Sequence, residues 1–208
     1  MTVPTPDIID RLADIHSGSF VDRIRKERPE TRANAQKSYL ALFEPGHEGD
    51  VTRIERLLVA TFVAGLHSAD AAETFYASGV DGGAPLIAAV KSEIEAGQAQ
   101  GPYGNYPSGP LSSEDKPGPA FTVSESGHAA LGQKLAAALE HSHLLVYRPR
   151  EASPEALQVL LDAGWTTTAV VTLSQIVAFL AFQIRVAAGL AALSQAGEGV
   201  LASATAAE

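Results

Sequence analysis

The apolar residues of this chain recur three and four positions apart, in short runs closed by proline, glycine and capping residues, and that spacing commits it to helices rather than strands. Pro6 and Asp7 open a short helix carrying Ile8, Ile9, Leu12 and Ile15, which ends near Gly18. Val21 and Ile24 mark a second segment. Pro29 begins a third, with Ala35, Tyr39, Leu42 and Phe43 on one face, and Pro45-Gly46 stops it. Thr52 is an N-cap with Glu55 three residues on, as in a capping box, and the apolar run Leu57 to Leu66 continues as one helix toward Tyr76 and Gly79. Pro85 restarts a helix whose stripe is Leu86, Ile87, Val90 and Ile94.

The stretch 97–127 differs in kind. It holds Gly97, Gly101, Gly104, Gly109 and Gly118 among Pro102, Pro107, Pro110, Pro117 and Pro119, without sustained periodicity, so a long loop is expected. Its aromatics, Tyr103, Tyr106 and Phe121, favour an ordered wrap over a free linker. From His128 the helical pattern resumes through Leu131, Leu135, Leu139 and Leu144 to Pro149. Ser153 then caps a short helix over 154–163 that Gly164 ends. Thr168 or a neighbour caps the last helix, 170–193, which is apolar nearly all round and so belongs at the centre of a bundle or at a subunit interface. The expected fold is all-α: one helical domain over 1–193, with N-terminal helices in 1–50, the first core helices in 51–96, the loop, C-terminal helices in 128–193, and a tail at 194–208 that frays.

Composition narrows the chemistry. At 208 residues and 46% hydrophobic content, the chain can bury a full core. With no cysteine, disulfides, thiolate nucleophiles and sulfur metal sites are all excluded. The N-terminus lacks a basic cap followed by an apolar run, so a cytoplasmic location is expected. Gln175, Gln183 and Arg185 interrupt the most hydrophobic segment, 169–193, which argues for a buried helix and against a membrane span. A formal charge of -9 repels phosphate backbones and excludes a general nucleic-acid role. The local basic run Arg23, Arg25, Lys26, Arg28 and Arg32, interleaved with Asp22, Glu27 and Glu30, reads as a solvated helix face.

Ser153-Pro-Glu-Ala-Leu-Gln-Val-Leu-Leu-Asp-Ala-Gly-Trp165, followed by the long apolar helix with Arg185 toward its end, resembles the C-terminal half of peroxidase-related members of the alkylhydroperoxidase D and carboxymuconolactone decarboxylase superfamily. Residues 51–79 resemble the helix that in those peroxidases carries a Glu, a Cys-x-x-Cys and a His. Aligned so, Leu57 stands at the Glu position, Ala69 and Ala72 at the two Cys positions and Tyr76 at the His position. More narrowly, the segment Gly101-Pro-Tyr-Gly-Asn-Tyr-Pro-Ser-Gly-Pro-Leu111 is similar to the loop of a cysteine-free subgroup of carboxymuconolactone decarboxylase-domain proteins. The resemblance implies an all-α bundle and a homo-oligomer, whether dimer, trimer or hexamer. It also implies a peroxidase or decarboxylase ancestry whose thiol chemistry, which needs a low-pKa thiolate and a resolving cysteine, has no residues here.

Oxygen and nitrogen groups remain. His67, Asp70 and Thr74 fall at i, i+3 and i+7 of the helix expected over 51–79, with Glu73 and Tyr76 beside them. A histidine with a carboxylate partner suits proton transfer, so His67 with Asp70 or Glu73, near Tyr76, is the candidate catalytic set; the alternative is a helix end turning polar at the surface. Tyr103 and Tyr106, with Asn105, offer directional hydrogen bonds on an apolar wall and are the candidate substrate contacts, or equally packing residues. Arg185 needs a partner on its apolar helix, which another helix, a neighbouring subunit or a ligand carboxylate can supply. His141-Ser-His143 points two rings in different directions and His47-Glu48 lacks a second histidine, so no metal is expected, and no cofactor. The expected function is binding or transforming a small organic molecule by non-thiol acid–base chemistry; the alternative is a non-catalytic oligomeric partner of a cysteine-bearing relative.

Overall fold

The structure, a computed structural model, describes residues 7–197. Among them are nine α-helices, two short 3-10 turns and no strand, so the protein is all-α. In chain order the helices are α1 (Ile8–Leu12), α2 (Phe20–Lys26), α3 (Pro29–Phe43), α4 (Arg53–Leu66), α5 (Asp70–Ser78), α6 (Ala84–Gly97), α7 (Glu125–Tyr147), α8 (Pro154–Asp162) and α9 (Thr167–Ala196). Of the tail expected over 194–208, Ser194 to Ala196 belong to α9, and positions from 198 on lie outside the described residues. By contacts the chain divides into two compact units, 7–41 with 182–197, and Leu42–Ala181.

In the first unit, Ile8, Ile9, Val21, Ala35 and Tyr39 are buried. Ser19 caps α2 by accepting the Asp22 amide, and the Ile8 amide donates to Gln36 Oε1 at 2.8 Å. The basic run is a solvated face only in part: Arg23, Lys26 and Arg28 are exposed, while Arg25 is buried and Arg32 half-buried. Arg25, 8% exposed, pairs with Asp7 at 2.9 Å and with Asp10. Arg32 pairs with Asp10 and, at 3.2 Å, with Asp22, which also takes Lys26 at 2.6 Å. The Lys26 hydrogen bond, the Gly18 amide and Arg32 together hold the Asp22 carboxyl well below the usual carboxylate range. Three carboxylates, Asp7 and Asp10 at α1 and Asp22 of α2, thus draw Arg25 and Arg32 out of the solvated face that the sequence suggested.

The second unit is built on α4, buried from Arg56 to Leu66 and packed against α5, α6 and α7. Its start is the expected capping box of Thr52 and Glu55. Arg56 is buried there because all three guanidinium nitrogens donate to carbonyls, of Val51, Leu42 and Glu48, at 2.8 to 3.0 Å. The helix does not run on to Gly79. After His67 the chain turns through Ser68 at φ +52°, with the Ser68 amide on Gly65 O and the Ala69 amide on Ala64 O, before α5 begins. These returning amides satisfy the terminal carbonyls as in an αL-type C-cap.

Residues 98–124 link α6 to α7 as an ordered strap. Gly104 and Lys116 exchange both backbone hydrogen bonds, and a 3-10 turn spans Pro110–Glu114. Tyr103, 2% exposed, donates its amide to Tyr147 O, and its ring lies so close to Gly118 that a Cβ there would fall 2.1 Å from it. Gly132, at φ 77° and ψ 162°, kinks α7 near its first third.

The final helix is one-sided rather than apolar-buried all round. Val171, Gln175, Ala178, Phe182 and Arg185, spaced three and four apart, are exposed, while Leu173, Ile176, Leu180 and Gln183 are buried. Among the described residues α9 alone is long and apolar enough to cross a membrane, at mean hydropathy 2.0, and 39% of that stretch is buried inside the protein.

Candidate functional site

On α7 the residues Ala137, Glu140, His141 and Leu144 fall at helical spacing along one face, and Arg148 follows as the C-cap of the helix. They line a cleft of about 220 Å³ whose other walls include Phe121 from the strap and Ala156 and Val159 from α8. The wall is apolar around a few polar groups, the composition expected of small-molecule sites.

His141 is 6% exposed, and its Nε2 is buried without a hydrogen-bond partner among the described residues. Burial pushes its pKa below the ordinary value, so the ring is neutral at pH 7. Arg148 donates from Nη2 to Glu151, while its buried Nε has no partner among the described residues. His143 is accounted for: its Nε2 lies 2.9 Å from Gly97 O, and its ring is held between Phe121 and Tyr147, each 4.8 Å away between centroids. Burial lowers its pKa, Arg148 adds to that, and the Gly97 contact opposes it. Glu140 sits one residue before His141, and its Oε1 accepts the Val123 amide at 2.9 Å. The strap is fastened to the same end of α7. Glu151 accepts the Asn105 amide at 2.8 Å, and Arg150 donates to Glu114 O and lies 4.2 Å from the centre of the Tyr106 ring.

The residues singled out from sequence do not assemble around this cleft. His67 ends α4 as its C-cap, on the far side of the turn from α5. Asp70 is exposed at the start of α5, and Glu73 pairs with Lys91 of α6 at 3.5 Å. Tyr76 is fully buried against Phe43, 4.8 Å between ring centroids. The i, i+3, i+7 face expected of His67, Asp70 and Thr74 needed one continuous helix, and the turn at Ser68 removes it. Tyr103 stacks on Tyr147 at 6.0 Å and Tyr106 lies under Arg150, so both serve the strap. Arg185 is exposed in the first unit.

The sequence signal for the cleft was the stripe Ala137, His141 and Leu144. It was legible as a helix face, but its histidine was weighed only as a metal ligand beside His143. No group of three or more potential metal-ligating side chains occurs among the described residues. Compared with protein families, with characterised proteins and with solved structures, the chain matches none.

Proposed function

We propose that this chain binds a small organic molecule in the cleft along α7 and moves a proton on it, with His141 as the proton acceptor and Arg148 as the polar anchor. The observation that carries this is that two residues lining one apolar cleft, His141 and Arg148, each hold a buried side-chain nitrogen, Nε2 and Nε, without a hydrogen-bond partner among the described residues. Leaving such groups unsatisfied costs roughly 1–3 kcal/mol each, and a functional site is a place where that cost is repaid by a ligand. A neutral imidazole with an available lone pair is suited to general-base catalysis near pH 7. The same reading takes the chain as a cysteine-free relative of the alkylhydroperoxidase D superfamily; its all-α build and the 153–189 pattern support this, and oxygen and nitrogen groups carry the chemistry.

Proton abstraction is visible without knowing the physiological substrate. The protein is incubated in deuterated water with a panel of small ketones, esters and organic acids, and deuterium uptake at carbon is followed by NMR. Catalysed uptake is expected for at least one compound and is lost in His141→Ala, whose thermal unfolding is measured alongside. Uptake that survives in a folded His141→Ala removes that residue from the chemistry; no uptake for any member removes the acid–base reading.

A second reading, a self-associating protein, rests on the exposed apolar side chains of the second unit: Leu157, Val159 and Leu161 of α8, with Val171 of α9. Gln175 on the exposed stripe of α9 in the same unit suits a protein partner better than lipid. The occupant in this reading is a second copy of this chain.

A further inference from the structure

We infer that the molecule held in the cleft is a small monocarboxylate, seated with its carboxylate on the Nε edge of Arg148 and its apolar body running along Leu144 and Phe121 toward His141. This rests on the reading of the α7 cleft as a ligand site and adds the chemical class and the orientation.

The charge pattern along α7 carries it. Arg148 is the one arginine or lysine among the residues lining the cleft, and Glu151 pairs with its Nη2. A guanidinium presents five N–H donors in a planar fork, so a second carboxylate can take the Nε edge without displacing Glu151. Glu140 lies at the opposite end, next to His141, and its charge disfavours a second carboxylate there. The Cα atoms of residues 141 and 148 are about two helical turns, roughly 10 Å, apart, with Arg148 at the C-cap of α7. A molecule with its charge at one end and its labile proton at the other matches a cleft with Arg148 at one end and His141 beside Glu140 at the other.

The size agrees. An apolar protein cavity of about 150 Å³ accommodates benzene. The cleft, at about 220 Å³, has room for a ring of that size and one carboxylate.

The test uses the full chain, calorimetric titration, and NMR of the His141 ring with three probes of one shape: benzoate, benzamide and benzylamine. Benzoate is expected to bind and shift the His141 resonances, with benzamide and benzylamine about tenfold weaker or more, the size of one charge-assisted contact. Arg148→Gln is expected to weaken benzoate by about tenfold and leave benzamide unchanged. Glu151→Gln keeps an acceptor for the Asn105 amide but removes the competing charge, and is expected to tighten benzoate several-fold. A purely structural Glu151 would not do so. Benzamide binding as tightly as benzoate, or benzoate unaffected by both variants, overturns the monocarboxylate while the cleft stands as a ligand site. If no probe moves the His141 ring, the cleft reading falls with it.

Discussion

Two tyrosines stacked 6.0 Å apart differ in the fate of one atom. Tyr147 donates its hydroxyl to Leu66 O at 2.6 Å, whereas the buried hydroxyl of Tyr103 has no partner among the described residues. Removing one member of a buried hydrogen bond costs about 1–3 kcal/mol, while removing an unpaired polar atom relieves a desolvation cost. Tyr147→Phe is therefore expected to destabilise the protein in urea by about that amount, and Tyr103→Phe to be neutral or stabilising. Equal losses in both would mean that stacking, not hydrogen bonding, is what the hydroxyls report on. Histidine charge provides a second test at this scale. Burial lowers the pKa of His141 and His143 below the unfolded value of about 6.5, so the unfolded chain binds more protons than the folded one. Stability is then fully present above that pH and declines as pH falls through it toward the folded pKa values. Urea midpoints measured between pH 7.5 and 5 should drop, and His141→Phe should make the drop shallower. An unchanged slope in that variant would show that His141 is as solvated folded as unfolded.

At the scale of helices, capping chemistry was legible because it is local. Thr52 with Glu55, Ser153, and the proline starts at Pro29 and Pro154 are where the structure has them. Two breaks were not legible, and both are backbone events with no side-chain announcement. His67, Ser68 and Ala69 include neither glycine nor proline, so nothing in their types opposes a helix through 51–79; the turn is made by one positive φ at Ser68 and by amides returning to Gly65 and Ala64. That single turn takes His67 off the helix that carries Asp70, Glu73 and Tyr76, so the single face on which the candidate set was built is lost. The α7 residues of the cleft, Ala137, Glu140, His141 and Leu144, by contrast, lie on the uninterrupted part of the helix after Gly132, and their common face could be counted off the sequence. What could not be counted was which face α8 and the strap leave open. The second break, Gly132, reads as a tolerated glycine in a helical pattern. Its φ of 77° and ψ of 162° fall in a region that essentially only glycine visits, and a Cβ there would meet nothing within 4 Å. Gly132→Ala thus isolates backbone strain from crowding. The expected loss is about 1–3 kcal/mol in chemical denaturation, with helix content unchanged by circular dichroism. A variant that gains helicity without losing stability would show that α7 straightens at no cost and that the kink is not fixed by its surroundings.

For the molecule as a whole, the decisive quantity is how much apolar surface the fold leaves uncovered. All-α architecture followed from periodicity, but periodicity places a helix only relative to its own axis. The apolar excess of 170–193 was therefore legible while its outward stripe was not. In the second unit Leu157 (41% exposed), Val159 (53%) and Leu161 (38%) stand on the short helix α8, and Val171 (53%) on α9. Scattered exposed leucines are ordinary on a monomer, but three large apolar side chains within one nine-residue helix are the kind of concentration that marks an association surface. A net charge of -9 opposes association through long-range repulsion, which salt screens over about 10 Å at 0.1 M, whereas apolar contact survives screening. Self-association is accordingly expected to strengthen with salt. Sedimentation velocity over a hundredfold range of protein concentration, at low and moderate salt, reads this directly. Leu157→Glu with Leu161→Glu should shift the mass toward the monomer while leaving thermal unfolding of the dilute protein almost unchanged, since both side chains are already exposed to water. A wild-type protein that sediments as a monomer at every concentration and salt would remove the second copy as the occupant of this surface. Loss of folding in the double variant would instead mean that α8 is held by its apolar side chains within the chain itself, and the single change Leu157→Glu would then be the one to measure.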